Sequence, residues 1–237
     1  MIKLMKQLFP FNRSLTGEGT LKTLKVIQKI LPKLKIKNIK SGEKVFDWIV
    51  PDEWNVKEAY IQFKKKKIID FKNNNLHLVS YSVPIKKKLN FSILKKKLYF
   101  LKKQPDAIPY VTSYYNKDWG FCLTYKNYLK LNKKGKYKIF INSTLKKGKL
   151  NYGEILIKGK SDKEIFLNTY ICHPSMANNE LSGPCVLTNL VKWIQKRDNK
   201  YSYRILYAPE TIGAIINIKR NKKKLKKVID AFNFNCL

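Results

Sequence analysis

From Leu150 onward the chain alternates apolar runs with longer amphipathic ones, and few folds accommodate that alternation. Residues 152–157 and 164–171 read as strands, 181–196 as a helix and 203–208 as a further strand; 211–219 and 225–230 have helical spacing. Strands separated by helices of this length predict an α/β fold with a mixed, mainly parallel sheet and covering helices. The last run, 231–237, has strand character but no crossover behind it. A parallel strand needs its crossover and neighbours, so the sequence reads as an interrupted fold.

Residues 170–183, Y-I-C-H-P-S-M-A-N-N-E-L-S-G, join one such strand to the following helix. In open α/β sheets ligands sit beyond the carboxyl ends of strands, which is where this loop falls. It holds His173, one of only two histidines, and Glu180 seven positions on. Imidazole and carboxylate are ligands that zinc accepts. A second strand, 203–208, ends in Pro209-Glu210-Thr211-Ile212-Gly213 and brings another carboxylate to a strand end. Two blander roles stand beside these: Glu210 stabilising a helix N-terminus, and Asn178-Asn179-Glu180 forming a turn and cap.

Near the start, S-L-T-G-E-G leads into Leu21, Leu24, Ile27 and Leu31, which share one helical face before Pro32, so a helix is expected over 20–31. Arg13 just upstream is either an ordinary exposed or capping residue or a substrate contact. From Leu34 the period changes to two. Residues 44–142 read as a β-rich unit with strands at 60–63, 68–71 and 76–81, a turn at 51–55 and one helical interruption near 91–101. Aromatic residues at 109–115 and 119–122 suggest a hairpin that either stacks on a sugar or base or packs the core. His77, among leucines and a valine, reads as a satisfied core histidine.

The formal net charge is +34, almost all from lysine; the arginines are Arg13, Arg197, Arg204 and Arg220. Nucleic-acid readers concentrate charge on one face and lean on arginine, whereas these lysines are scattered in short runs. The charge therefore predicts solvated surface with non-specific attraction to polyanions. Four cysteines without C-x-x-C spacing, no apolar leader and no run long enough for a membrane span point to a cytoplasmic protein.

Taken together, L-F-P-F-N-R-S-L-T-G-E-G, K-V-F-D-W-I-V-P-D-E-W-N, L-H-L-V-S-Y-S-V-P, C-H-P-S-M-A-N-N-E-L-S-G and P-E-T-I-G resemble a bacterial aminopeptidase-like family, in the same order and across essentially the whole chain. That family has a zinc-peptidase α/β domain interrupted by a β-rich domain of unknown function. The resemblance implies that residues 1–43 and 143–237 form one peptidase-like domain with 44–142 inserted. It also implies a further C-terminal portion, with more metal ligands and a winged-helix-like segment, and an association with surface-polysaccharide genes. In the wider group a histidine at the first strand end and an Asp before a Ser-Gly pair bind two metals, and a later Glu-Glu pair supplies a base and a ligand. Here His173 matches the histidine, Asn179 falls at the bridging Asp with Glu180 beside it, Glu210 at the base and Thr211 at the second Glu.

The resemblance thus implies zinc held by His173 and Glu180, Glu210 as general base, and Arg13, Tyr170 and Asn178 as substrate contacts. The implied activity is metal-dependent hydrolysis of a peptide or aminoacyl-type bond, with a small peptide-like or sugar-linked substrate. Asn179 and Thr211 are poor zinc ligands, and two protein ligands are fewer than zinc sites use, so the chain is expected to be a weak hydrolase. Two rivals stand beside it: a remnant that binds a small peptide or sugar without turnover, and a polyanion-binding protein.

Overall fold

Two amphipathic helices open the chain, α1 (Ile2–Leu8) and α2 (Glu18–Ile30), and between them the backbone doubles back on itself. Two glycines in S-L-T-G-E-G make that possible. Gly17 has φ 93°, a left-handed conformation that side chains disfavour. Gly19 lies so close to the returning segment that a Cβ there would sit 2.0 Å from the Asn12 carbonyl oxygen. β1 (Lys35–Lys40) and a small hairpin, β2 (Lys44–Val45) with β3 (Trp48–Ile49), follow.

The computed structural model describes residues 1–114 and 116–237, which divide into two units: Met1–Glu53 with Lys147–Leu237, and Trp54–Lys146. In the second unit β4 (Glu53–Phe63), β5 (Lys66–Asp70), β6 (Ile85–Asn90) and β9 (Lys136–Lys146) form a four-stranded sheet in the order β5-β4-β9-β6. Between β6 and β9 come α3 (Phe91–Leu94), the short parallel pair β7 (Leu98–Tyr99) and β8 (Phe121–Cys122), and α4 (Tyr125–Leu129). Three expectations change here. Glu53–Asn55 belong to β4 rather than a turn, because Trp54 is buried and its indole N–H donates to the Ser82 carbonyl. Residues 76–81 make only isolated bridges after a 3-10 turn at Asn75–His77. The helix near 91–101 stops at Leu94 and leads, through a 3-10 turn at Lys95–Lys97, into β7. In the segments expected to form an aromatic hairpin, Phe121 and Cys122 instead pair in parallel with β7, with Phe121 buried, and Tyr114 meets Tyr81 edge-on; Tyr115 lies outside the described residues. His77 is buried with Nδ1 2.8 Å from the Cys122 carbonyl.

The first unit is completed by β10 (Lys149–Ile157), β11 (Ser161–Tyr170), α5 (Ser182–Ile194), β12 (Tyr201–Ala208), α6 (Ile212–Leu225) and β13 (Val228–Asn233). Its sheet runs β1-β10-β12-β11-β13. The sheet is mixed: β1–β10 and β10–β12 are antiparallel, while β11 is parallel to both β12 and β13. The parallel share is smaller than the helix-strand alternation predicts, because β10 enters from the β-rich segment and reaches β12 without a crossover helix. One helix, α6, replaces the two expected at 211–219 and 225–230, and Val228 already starts the edge strand.

Alternation along the strands divides two buried layers. Leu24, Ile27 and Leu31 of α2 and Leu187, Val191 and Ile194 of α5 pack on Ile155, Leu167, Ile205 and Tyr207. On the opposite face Ile216 of α6 packs with Ile39, Tyr152, Leu206, Val45 and Val50. Each such side chain contributes about 1.5–3 kcal/mol on full burial, which holds the helices to the sheet. The β2–β3 hairpin therefore belongs to this unit and not to the β-rich one, which moves the first boundary from 43 to 53. Among the described residues no helix is long and apolar enough to cross a membrane.

Candidate metal centre

Parallel pairing of β11 with β12 sets the site. Tyr170 lies opposite Ala208 in the register, so the two chains leave the sheet side by side at their carboxyl ends. One more backbone bond, from Ile171 N–H to the Ala208 carbonyl, keeps them together. The Glu210 N–H then donates to Cys172 Sγ at 3.2 Å. Cys172 and His173 end one strand, Glu210 the other, and their donor atoms all lie within 4.8 Å of one another. His173 Nε2 is 3.5 Å from a Glu210 carboxylate oxygen and 3.9 Å from Cys172 Sγ.

The other edge of the imidazole is held from below. His173 Nδ1 faces Glu180 Oε2 at 3.1 Å. Glu180 has no exposed surface and sits in a π-helical turn, Ala177–Leu181, that leads into α5. Arg13, also fully buried, places Nε 3.4 Å from Glu180 Oε1 and donates from Nε to the His173 carbonyl at 2.9 Å and from Nη1 to the Leu8 carbonyl at 2.6 Å. Burial lowers the Arg13 pKa and the Glu180 charge opposes that shift. In the tautomer with Nδ1–H donating to the Glu180 carboxylate, Nε2 is left as an acceptor facing the Glu210 carboxylate, an arrangement a metal cation between the two would satisfy.

The structure therefore arranges the expected residues differently from their expected roles. His173, Glu180 and Glu210 do converge, but Glu180 is behind the ring with Arg13 and does not share the Nε2 side with Glu210. Arg13 has no surface to offer a substrate; it ties Leu8, His173 and Glu180 together. Tyr170 stands edge-on to His173, with ring centroids 5.3 Å apart, and its hydroxyl donates to the Asn179 carbonyl at 2.6 Å. Burial raises the Tyr170 pKa and keeps the phenol neutral. Tyr170, Glu210 and Thr211 line a cleft of about 230 Å³ in which, among the described residues, Glu210 is the only charged lining group. Asn178 is exposed and donates to the Leu237 carbonyl, away from the cluster. Asn179 donates to Cys236 Sγ at 3.8 Å while its Oδ1 is buried without a hydrogen bond.

Thr211 has φ 55° and ψ −63° and is the middle residue of a γ-turn closed by Ile212 N–H to the Glu210 carbonyl at 2.5 Å. That conformation is strained and places Glu210 at the sharp exit from β12. On the other loop the close fit at Gly183, where a Cβ would lie 2.1 Å from the Phe234 carbonyl oxygen, fixes the start of α5 against the end of β13.

Cys172 is the functional candidate that sequence reasoning missed. Neighbouring residues in a strand point to opposite faces, so Cys172 and His173 would not be expected at one site. Only the departure from strand geometry before Pro174 brings both together, and the C-H-P triplet is the local signal of it. Burial holds the Cys172 thiol well above its usual pKa, and the Glu180 and Glu210 charges add to this. Burial likewise raises Cys185 to about 11 and Cys122 to about 12. Alkylation of the native protein near neutral pH should thus label the exposed Cys236 and spare the other three. Mass spectrometry showing rapid labelling at Cys172 would contradict this geometry.

Residues 2–237 match the family described as a domain of unknown function, DUF4910. The chain belongs to this family. A protein of Clostridium acetobutylicum, named as a candidate polysaccharide biosynthesis protein with an aminopeptidase-like domain, is 49% identical over 226 residues, which is 95% of this chain and 52% of that protein. The chain thus spans about half the length of this relative. A crystal structure of a candidate peptidase from the same organism has a TM-score of 0.96 at 47% identity over 99% of this chain and 55% of its own. A zinc aminopeptidase of Bacillus subtilis (TM-score 0.61, 13% identity, 99% of this chain and 68% of that one) shares the fold. So does a peptidase M28 precursor of Shewanella amazonensis (0.62, 11%, 97% and 69%). The DUF4910 chain thus has the α/β fold of the aminopeptidases.

Zinc is named for the Bacillus subtilis neighbour, and the donor chemistry of this cluster can be compared with what zinc accepts. Cys172, His173 and Glu210 offer one sulfur, one nitrogen and one carboxylate, and three protein ligands with one open position is the pattern of a catalytic zinc. These residues fit one zinc. They do not fit two, because Asn179 is neutral and turned to Cys236, and Thr211 offers only a hydroxyl.

Proposed function

We propose that this chain carries a one-zinc, aminopeptidase-like hydrolytic site for a small peptide-like or aminoacyl-type substrate. The observation behind the proposal is the meeting of His173 Nε2, Cys172 Sγ and Glu210 at the ends of two parallel strands, with Glu180 fixing the imidazole from behind. Cys172, His173 and Glu210 would hold the zinc, which when bound polarises a carbonyl and makes a water more acidic. Glu180 and Arg13 keep the imidazole in the tautomer that presents Nε2. Tyr170 and Thr211 shape the wall of an open cleft of about 230 Å³ beside Glu210.

Glu210 carries two duties in this reading, since among the described residues it is the only charged group lining the cleft. One carboxylate oxygen would serve as a ligand and the other would accept a proton from water. The wider group divides these tasks between two glutamates, and Thr211 stands at the second position. Slow turnover follows. Binding without turnover is the second reading, favoured by the same absence of a carboxylate at Asn179 and Thr211.

The test is dialysis against zinc, metal analysis and assay on a panel of aminoacyl substrates. The expected result is close to one zinc per chain and slow hydrolysis, with both zinc and hydrolysis lost in Glu210→Gln. Loss of hydrolysis with zinc retained would assign Glu210 to proton transfer alone. Two zincs per chain, or none, would overturn the reading.

A further inference from the structure

A second cleft, of about 480 Å³, lies on the same face of the sheet as α6 but at the far end of that helix from Glu210. Its wall is basic: Lys33 just before β1, Lys35 and Lys37 within it, Lys158 after β10, and Lys224 in the last turn of α6. The lining holds one carboxylate, Glu154, and that group is already engaged by Lys37 and by Asn221, whose amide donates to it at 3.0 Å. The ammonium groups of Lys33, Lys35 and Lys224 meet no carboxylate among the described residues. Lys158 lies within Coulombic reach of Asp162 without a direct pair.

The floor is more rigid than a lysine fringe. Arg204 is 7% exposed, and Glu164 holds it with two bonds, from Nε at 2.6 Å and from Nη2 at 2.9 Å. Its Nη1 has no partner among the described residues. A guanidinium fixed by a buried carboxylate keeps its remaining donors in one direction, unlike a free lysine. Leu156 beside it is 38% exposed and adds an apolar surface. Unmatched ammoniums from three chain segments, a fixed arginine and a concave volume within the range of small-molecule sites define the ligand chemistry. The partial negative charge at the end of α6 opposes an anion, and Lys224 in that last turn offsets it.

We propose that this cleft binds a small ligand carrying a diphosphate group. A diphosphate spans several lysines at once, whereas a monophosphate reaches fewer. A concave cleft also suits a compact anion better than a polymer, which the scattered lysines elsewhere attract without shape. The site is independent of the metal centre.

Calorimetric titration of the full chain with inorganic diphosphate and with inorganic phosphate, near physiological salt, tests this. The expected result is one saturable diphosphate site per chain, tighter than for phosphate. The pair Lys33→Gln with Lys35→Gln should weaken it by about ten-fold, about 1.4 kcal/mol. Lys224→Gln, on another element, should weaken it several-fold. Lys86→Gln with Lys87→Gln, the same charge change on β6, should leave it unaltered. Equal weakening by both pairs, absence of saturable heat, or displacement by a single-stranded oligonucleotide that ignores Lys33 and Lys35 would overturn the proposal.

Discussion

Arg13→Met is expected to destabilise the α/β unit by about 3–5 kcal/mol, the usual cost of leaving one member of a buried ion pair behind. Glu180 would lose its buried cationic partner with no exposed surface to hydrate it, and the carbonyls of Leu8 and His173 would each lose a donor. The double variant Arg13→Met with Glu180→Met removes both charges and should recover most of that loss, since apolar replacement of a buried pair is often near neutral. Hydrogen exchange of the α5 amides across a urea series reads this unit by itself. If the single variant costs no more than the double, the buried pair is not what holds the loop down.

The second large effect is expected on zinc binding at the proposed site. Glu180→Gln keeps the shape of the side chain but replaces a carboxylate acceptor by an amide that can present either of two faces to Nδ1. Partners of this kind behind a ligating histidine typically contribute 10–100-fold, as an order of magnitude, in metal affinity. Zinc affinity measured by competition with a chromophoric chelator should therefore fall by about that factor, below the temperature at which the variant unfolds. An unchanged affinity would mean that His173 does not bind through the ring edge opposite Glu180.

Much of this was legible because it depends on local periodicity. The helix beginning near Glu18, the strand ending at Tyr170 and the strand ending at Ala208 all announce themselves by spacing and by polar loops that follow them. β13 did so only in part: its residues 231–233 fall in the run read as a strand, but the lysines at 222–224 and 226–227 carry a helical pattern up to Val228 and hide its start, and an exposed edge strand has no buried face to alternate against. The β2–β3 hairpin has strand spacing like the β-rich segment, and only Val45 and Val50 reaching the α6 layer assign it to the other unit. At the site, the sequence places His173, Glu180 and Glu210 near one another but not on which side of the ring each lies. That depends on the π-helical turn before α5, which buries Glu180, and on Arg13, 160 residues away along the chain, whose Nε reaches the His173 carbonyl. Long-range pairs of that kind leave no periodic trace.

The measurement closest to the central claim is X-ray absorption at the zinc edge on protein dialysed to constant metal content. A site made by Cys172, His173 and Glu210 predicts one zinc with a single sulfur neighbour at ~2.3 Å and nitrogen or oxygen neighbours at ~2.0–2.2 Å. A first shell of nitrogen and oxygen alone, or a second metal at ~3.5–4 Å, would contradict it.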